Sequence, residues 1–344
     1  MEQIDLKSLN LKELENVLET IGEKKFRAKQ IYQWMHINHV LGYEEMTNIG
    51  KGLQDKLQDQ FPLTILKQET IQISKLDGTR KYLFELEDGN MIESVFMRYK
   101  HGNSVCISSQ AGCRMGCRFC ASTLDGLVRS LKPSEMLEQI YRICKDTGEK
   151  VSNIVVMGTG EPLDNFDNLL KFIELISDEN GLNISQRNLT VSTCGIVPKM
   201  IELADRKLQI TLALSLHAAS QEKRLELMPI ANKYGIHEVV AACQYYFEQT
   251  GRRITFEYSL VAGVNDTKED ATLLCQLIHG MNCHVNLIPV NPIEERDYVQ
   301  PVAQHIVNFK NKLEKNGINV TIRREMGRDI DGACGQLRKR YIER

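Results

Sequence analysis

The chain has 344 residues, 42% hydrophobic and 26% charged, with a formal net charge of −2. This is the balance of an ordinary folded globular protein, long enough for one large domain and a smaller companion, and its bulk charge offers nothing in favour of nucleic-acid binding. No run of about 18 apolar residues is present to span a membrane, and Met1-Glu2-Gln3-Ile4-Asp5 has neither the basic nor the apolar region of a secretory leader. The ten cysteines are therefore expected to be thiols, ligands or transient disulfides in a reducing cytoplasm.

In chain order, residues 1–75 read as a helical accessory domain. Leu9, Leu11, Leu14, Val17, Leu18 and Ile21 recur at three- and four-residue steps, and Gly22 stops the run. Phe26, Ile31, Trp34 and Met35 mark a second helix, and Met46 to Phe61 a third, with Pro62 beyond it. Residues 76–103 read as a β-hairpin linker: Lys81–Glu87 and Met91–Arg98 are strand-like, joined by the turn sequence Asp88-Gly89-Asn90. From residue 104 to 344 strands and helices alternate. The predicted strands are Val105–Ser109, Ile154–Met157, Leu189–Thr193, Ile210–Leu216, Ile254–Val261, Val285–Val290 and Val320–Arg323. Helices are predicted from Pro133 through Ile143 and, after the cap at Asp266-Thr267-Lys268-Glu269, through Ile278. This repeating βα pattern implies a parallel sheet, either a partial barrel or a doubly wound sheet.

The chemistry is concentrated in Cys113-Arg114-Met115-Gly116-Cys117-Arg118-Phe119-Cys120, a C-x3-C-x2-C spacing. Thiolates are soft ligands that suit zinc, copper or iron–sulfur centres. Structural zinc takes four protein ligands, and only three cysteines lie close together here. A cluster held by three cysteines leaves one iron open to a substrate. The spacing, with an aromatic residue before the last cysteine, resembles the radical S-adenosylmethionine (SAM) superfamily. Parallel α/β sheets bind ligands at the C-terminal ends of their strands, and polar residues gather there in this sequence. Gly158-Thr159-Gly160-Glu161-Pro162 follows one strand, and Glu161 is suited to an ammonium group. Ser192, Ser215-Leu216-His217 and Asn291 end others.

The chain as a whole resembles the RlmN family of radical-SAM ribosomal RNA methyltransferases, which act on C2 of an adenine. The resemblance rests on Cys106-Ile107-Ser108-Ser109-Gln110, the cysteine motif, Gly158–Pro162, Leu227-Met228-Pro229-Ile230, Gly263-Val264-Asn265-Asp266 and the tail Ala333-Cys334-Gly335-Gln336-Leu337. Thr159 stands where methionine is expected and Gly332 where alanine is. The resemblance implies a partial (β/α)6 barrel of the TIM type behind the N-terminal helical domain. Cys113, Cys117 and Cys120 would hold a 4Fe–4S cluster. Gly160, Glu161, Ser192, Ser215, Leu216, His217 and Asn291 would contact SAM, of which two are consumed per turnover. Cys334 would carry the methyl group, Cys106 would pair with it in a transient disulfide, and Glu93 would accept a proton.

The implied substrates are 23S rRNA, in its peptidyl-transferase region, and the anticodon loop of tRNA. An electron donor for the cluster is also implied, with a cytoplasmic and monomeric enzyme. Adenine C2 is electron-poor and cannot attack the SAM methyl as an amine would. The family route therefore methylates Cys334 first. A 5′-deoxyadenosyl radical from a second SAM then activates that methyl for addition to C2. Lys24, Lys25, Arg27 and Lys29, with the basic tail, are the candidate RNA-binding groups. Three alternatives stand beside this reading: Cfr-type methylation at adenine C8, a glycyl-radical-activating enzyme, and a zinc-binding RNA adaptor without catalysis.

Overall fold

The alternation of apolar strands and amphipathic helices builds one large sheet with helices packed on its outside. The computed structural model describes residues 4–291, 297–330 and 336–342. Three N-terminal helices come first, α1 (Leu11–Thr20), α2 (Phe26–His36) and α3 (Lys51–Gln60). Asn10 caps α1: it accepts from the Glu13 amide while the Glu13 side chain accepts from the Asn10 amide. There follow β1 (Lys67–Ile73), β2 (Arg80–Glu85), β3 (Met91–Tyr99) and β4 (Gly102–Ile107). A small hairpin, β5 (Gln110–Gly112) and β6 (Leu127–Ser130), precedes α4 (Pro133–Thr147). The repeating part is β7 (Asn153–Val156), α5 (Phe166–Ser177), β8 (Leu189–Thr193), α6 (Val197–Asp205) and β9 (Thr211–Ser215). It continues with α7 (Gln221–Leu227), α8 (Ile236–Thr250), β10 (Ile254–Leu260), α9 (Lys268–Leu277), β11 (Cys283–Pro289), α10 (Ala303–Lys315) and β12 (Asn319–Ile322). The last element is α11 (Gln336–Ile342).

All strands except β5 and β6 form a single sheet in the order β1-β2-β3-β4-β7-β8-β9-β10-β11-β12. From β4 to β12 every pairing is parallel, as in the expected partial barrel. β12 continues the parallel array past the six strands of that barrel. β1, β2 and β3 are antiparallel additions at the other edge. Among the described residues the sheet does not close, so β1 and β12 are edge strands. β1 carries a register shift between Gln68 and Thr70.

Two expectations change here. Residues 67–73 form β1 rather than helix: Lys67-Gln68-Glu69-Thr70-Ile71-Gln72-Ile73 has β-branched residues at three of its last four places, and pairing with β2 decides its conformation. The 81–98 hairpin is a continuation of the main sheet, because β3 pairs with β4 from Val95↔Cys106 to Tyr99↔Gly102. One contiguous apolar core runs from Leu6, Leu14 and Leu18 of the N-terminal region to Val285 and Val320 of the barrel. A fully buried ion pair, Lys7 to Glu138 at 2.7 Å, crosses that junction onto α4.

Candidate active site

The cysteine loop spans the gap between β5 and β6. The Cys113 amide donates to Gly126 O (2.8 Å), the Arg118 amide to Leu227 O (2.9 Å), and the Thr123 hydroxyl to the Cys117 and Cys120 carbonyls (3.1 and 2.9 Å). Leu227 and Met228 pack with Cys117, so the segment after α7 is the wall behind the loop. Phe119 meets the His217 ring edge-on at 4.6 Å between centroids, which ties the loop to the end of β9.

Burial pushes the Cys113 thiol up to about 12 and the Cys117 thiol well above its ordinary range, and the neighbouring cysteines push in the same direction. Thiolates here need a compensating cation. Among the described residues no three His, Cys, Asp or Glu side chains converge closely enough to hold one metal ion. The three cysteines instead share the lining of a cavity of about 250 Å³. A soft, all-sulfur donor set spread around a cavity fits a multi-iron cluster better than a single zinc.

Gly160, Glu161, Ser192, Ser215, His217 and Asn291 line that same cavity. The turn after β7 passes so close to β4 that a Cβ on Gly158 would stand 2.7 Å from Ile107 O. At Gly160 φ is +106°, and a Cβ would stand 2.5 Å from Gln110 Cβ. Only glycine satisfies both demands there. Thr159, fully buried, has its hydroxyl 3.4 Å from that of Ser122 and its amide on Ser108 Oγ (2.9 Å). Glu161 is buried and accepts from the Leu163 amide (3.0 Å) and the Cys194 amide (2.8 Å). Burial raises its pKa, and the amide donors oppose that rise.

His217 has φ +55°, uncommon for a residue with a side chain. Its amide donates to Glu257 O (3.2 Å), and its carbonyl accepts from Asn265 Nδ2 (2.6 Å). Its Nδ1 accepts from the Ser259 amide (2.9 Å). Burial, with Arg224 nearby, lowers its pKa to about 3, so the ring is neutral and Nε2 carries the proton. The cavity thus gains a neutral donor. Leu216 differs from the rest of the set: its side chain lies in the main core, its amide is on Glu257 O (3.0 Å), and its carbonyl accepts from the Ala218 amide (2.8 Å).

A second cavity of about 620 Å³ adjoins the first, sharing Ile288, Asn291 and Arg323 with it. Its wall includes Val95, Met97 and Cys106. Glu93 lies two residues before Val95 on the same face of β3. It is buried, its Oε2 is 3.0 Å from Lys81 Nζ, and its Oε1 accepts from the Arg338 amide (2.7 Å). Cys334 lies outside the described residues.

Sequence reasoning missed Glu257, Cys194, Asn265 and Lys81 as parts of this site. Glu257 lines the first cavity, faces Ser215 across the β9–β10 pairing, and accepts from Asn286 Nδ2 (2.8 Å). A carboxylate in the middle of Ile254-Thr255-Phe256-Glu257-Tyr258-Ser259-Leu260 is its one available signal, since a buried strand rarely carries a charge without a partner.

Residues 4–63 match the model for the ribosomal RNA large subunit methyltransferase N-terminal domain, and residues 107–275 that for the radical SAM superfamily. The chain is 67% identical over 98% of its length to a probable dual-specificity RNA methyltransferase RlmN of Lachnospira eligens, covering 97% of that protein. It is 62% identical over its full length to the protein of the same name in Lachnoclostridium phytofermentans, covering 96% of it. Among solved structures, a radical SAM methyltransferase from Sphaerobacter thermophilus aligns at 40% identity with a TM-score of 0.93, covering 97% of this chain and 98% of that one.

Proposed function

The chain belongs to the RlmN family, and from that premise we propose that it is a radical-SAM methyltransferase acting on C2 of an adenine in 23S rRNA and in the tRNA anticodon loop. The observation that carries this reading is the meeting of two cavities. One is lined by Cys113, Cys117, Cys120 and the polar strand ends. The other is walled by Cys106 and lies on the sheet face that bears Glu93.

Cys113, Cys117 and Cys120 would hold a 4Fe–4S cluster, which would supply the electron for cleavage of SAM. The protein's own residues do the rest. Glu161 offers a buried carboxylate to the SAM ammonium, Gly160 lets the backbone approach, and Ser192 and Ser215 offer hydroxyls on adjacent strands, 3.3 Å apart. His217 and Asn291 complete the polar lining. Cys334, as thiolate, takes a methyl group from one SAM by displacement, so each turnover uses two. Glu93 accepts the C2 proton, and Cys106 attacks the sulfur of Cys334 to release the product as a disulfide forms. External reductants then regenerate both thiols and supply the cluster. The enzyme is cytoplasmic and acts as a monomer. Among the described residues no helix is long and apolar enough to cross a membrane.

The test is an anaerobic assay of reconstituted protein with deuterated-methyl SAM and unmodified ribosomal RNA or tRNA, read by mass spectrometry of the digested RNA. Deuterated 2-methyladenosine from the wild type, none from Cys334→Ala, and a covalent RNA adduct with Cys106→Ala are expected. Labelled 8-methyladenosine would move the product to the C8 group. No labelled RNA from protein that still cleaves SAM would overturn the reading.

A further inference from the structure

The Glu93 carboxylate is held from two sides. Lys81 Nζ stands 3.0 Å from Oε2, and the Arg338 amide donates to Oε1 at 2.7 Å. The Lys81 side chain is 0% exposed and that of Glu93 4%. The strand register explains how the lysine reaches its partner. Lys81 pairs with Val95 and Leu83 with Glu93, so Lys81 and Glu93 are diagonal neighbours on one face. Val95 in turn pairs with Cys106 across β3 and β4. Lys81, Val95 and Cys106 therefore form one row across three strands, with Glu93 beside it, and two members of that row, Val95 and Cys106, line the second cavity.

A fully buried ammonium next to a carboxylate can serve the fold alone, fixing β2 against β3. Two observations separate this pair from such a role. It lies on the face that carries Cys106, and its carboxylate also holds the backbone of α11, the helix that follows the segment bearing Cys334. A carboxylate has about four lone-pair directions. With one oxygen held by the lysine and the other by the amide, the plane of the carboxylate is fixed. Proton transfer needs the acceptor within hydrogen-bond reach of the proton and correctly aimed.

We propose that Lys81 is a positioning residue for proton removal: it orients the Glu93 carboxylate toward the C2 hydrogen of the adenine adduct. The inference rests on the proposed function. In the step concerned the C2–H bond breaks, its electron pair stays with the ring, and an O–H bond forms on Glu93. The positive charge left on the pair is the lysine ammonium already present.

The experiment compares Lys81→Met, Lys81→Arg, Glu93→Gln and the Lys81→Met/Glu93→Gln double variant in the full-length, reconstituted enzyme. The RNA substrate carries either ordinary adenine or adenine deuterated at C2. We expect Lys81→Met to slow product formation by about 100-fold, the low end of what a positioned base supplies. Deuterium at C2 should then slow it further, to an extent not seen in the wild type. Lys81→Arg should recover most of the rate by keeping a cation in reach, and Lys81→Met should add nothing in the Glu93→Gln background. SAM binding by Lys81→Met serves as the control for a folded site. A Lys81→Met loss that adds in full to that of Glu93→Gln, or that comes with an unchanged C2 isotope effect, would overturn the proposal. A wild type that methylates no RNA would instead defeat the underlying function, whatever Lys81 does.

Discussion

Two buried lysine–glutamate pairs sit among the described residues, and their surroundings differ. Lys7–Glu138 lies at the seam between the N-terminal region and α4 and is closed on every side. Lys7 Nζ also donates to Thr64 O (2.8 Å), Glu138 accepts from the Leu66 amide (3.3 Å), and Arg142 Nε stands 3.1 Å from the same carboxylate. Lys81–Glu93 is equally buried but stands on the sheet face that walls a cavity, and one of its oxygens anchors the C-terminal helix. The same chemistry lies inside a closed seam at one place and on the cavity-bearing sheet face at the other. Burial alone does not distinguish them; what lies next to the pair does.

The sharpest break in this comparison is Glu138→Ala, which takes from Lys7 and Arg142 the buried carboxylate they share. We expect a loss of about 3–5 kcal/mol, seen as a lowered urea midpoint. Lys81→Met should cost less, about 1–3 kcal/mol, because Glu93 keeps the Arg338 amide. The contrast fails if Lys81→Met destabilises as much as Glu138→Ala.

Acid sharpens the same comparison. Burial holds His36 at about 3 and His39 at about 4, both at the N-terminal seam, against 6.5 for a free histidine. The unfolded chain takes up these protons first. Their stabilisation is thus complete above pH 6.5 and is lost as pH falls toward 4, at about 1.4 kcal/mol per pH unit for each ring. His36→Gln should flatten the fall of stability below pH 6.5 measured by urea unfolding; an unchanged slope would remove His36 from the account. The smallest effect on the fold belongs to the outer face of the same N-terminal region, where Lys24, Lys25 and Lys29 are exposed. Reversing these three to glutamate should move stability by less than about 0.5 kcal/mol. RNA affinity should fall, and the slope of log affinity against log salt should decrease by about 0.7 for each phosphate that is no longer neutralised. Unchanged affinity at several salt concentrations would free this face of any RNA role.

Much of the barrel was legible because its strands are short apolar runs closed by turn residues, and the cysteine loop was legible from spacing alone. β1 was not, because most of Lys67–Ile73 is polar and only its pairing with β2 makes it a strand. The hairpin β5–β6 is too short to carry a period. Lys81 directly precedes the apolar Tyr82-Leu83-Phe84, and a lysine there reads as a solvent residue. Its burial becomes visible only with the register that sets it diagonal to Glu93. Asn265 was read as part of a motif, yet its work is conformational. It receives the Val261 amide (2.8 Å) and donates to the His217 and Ser259 carbonyls (2.6 and 2.7 Å), which fixes the backbone turn at His217.

The open sheet has a consequence for the protein's behaviour in a crowded solution. An unpaired edge strand is a template on which another chain can add a strand and begin an aggregate. β1 presents such an edge, and its composition discourages the addition. The register shift at Gln68–Thr70 breaks the straight row of amides and carbonyls. Lys67 is shared between Glu69 and Glu85, and the Tyr341 hydroxyl of α11 donates to Glu69 (2.8 Å). A docking chain would have to bury or displace those charges. The edge that lets the barrel remain open is also the one that its own charges and C-terminal helix keep from recruiting neighbours.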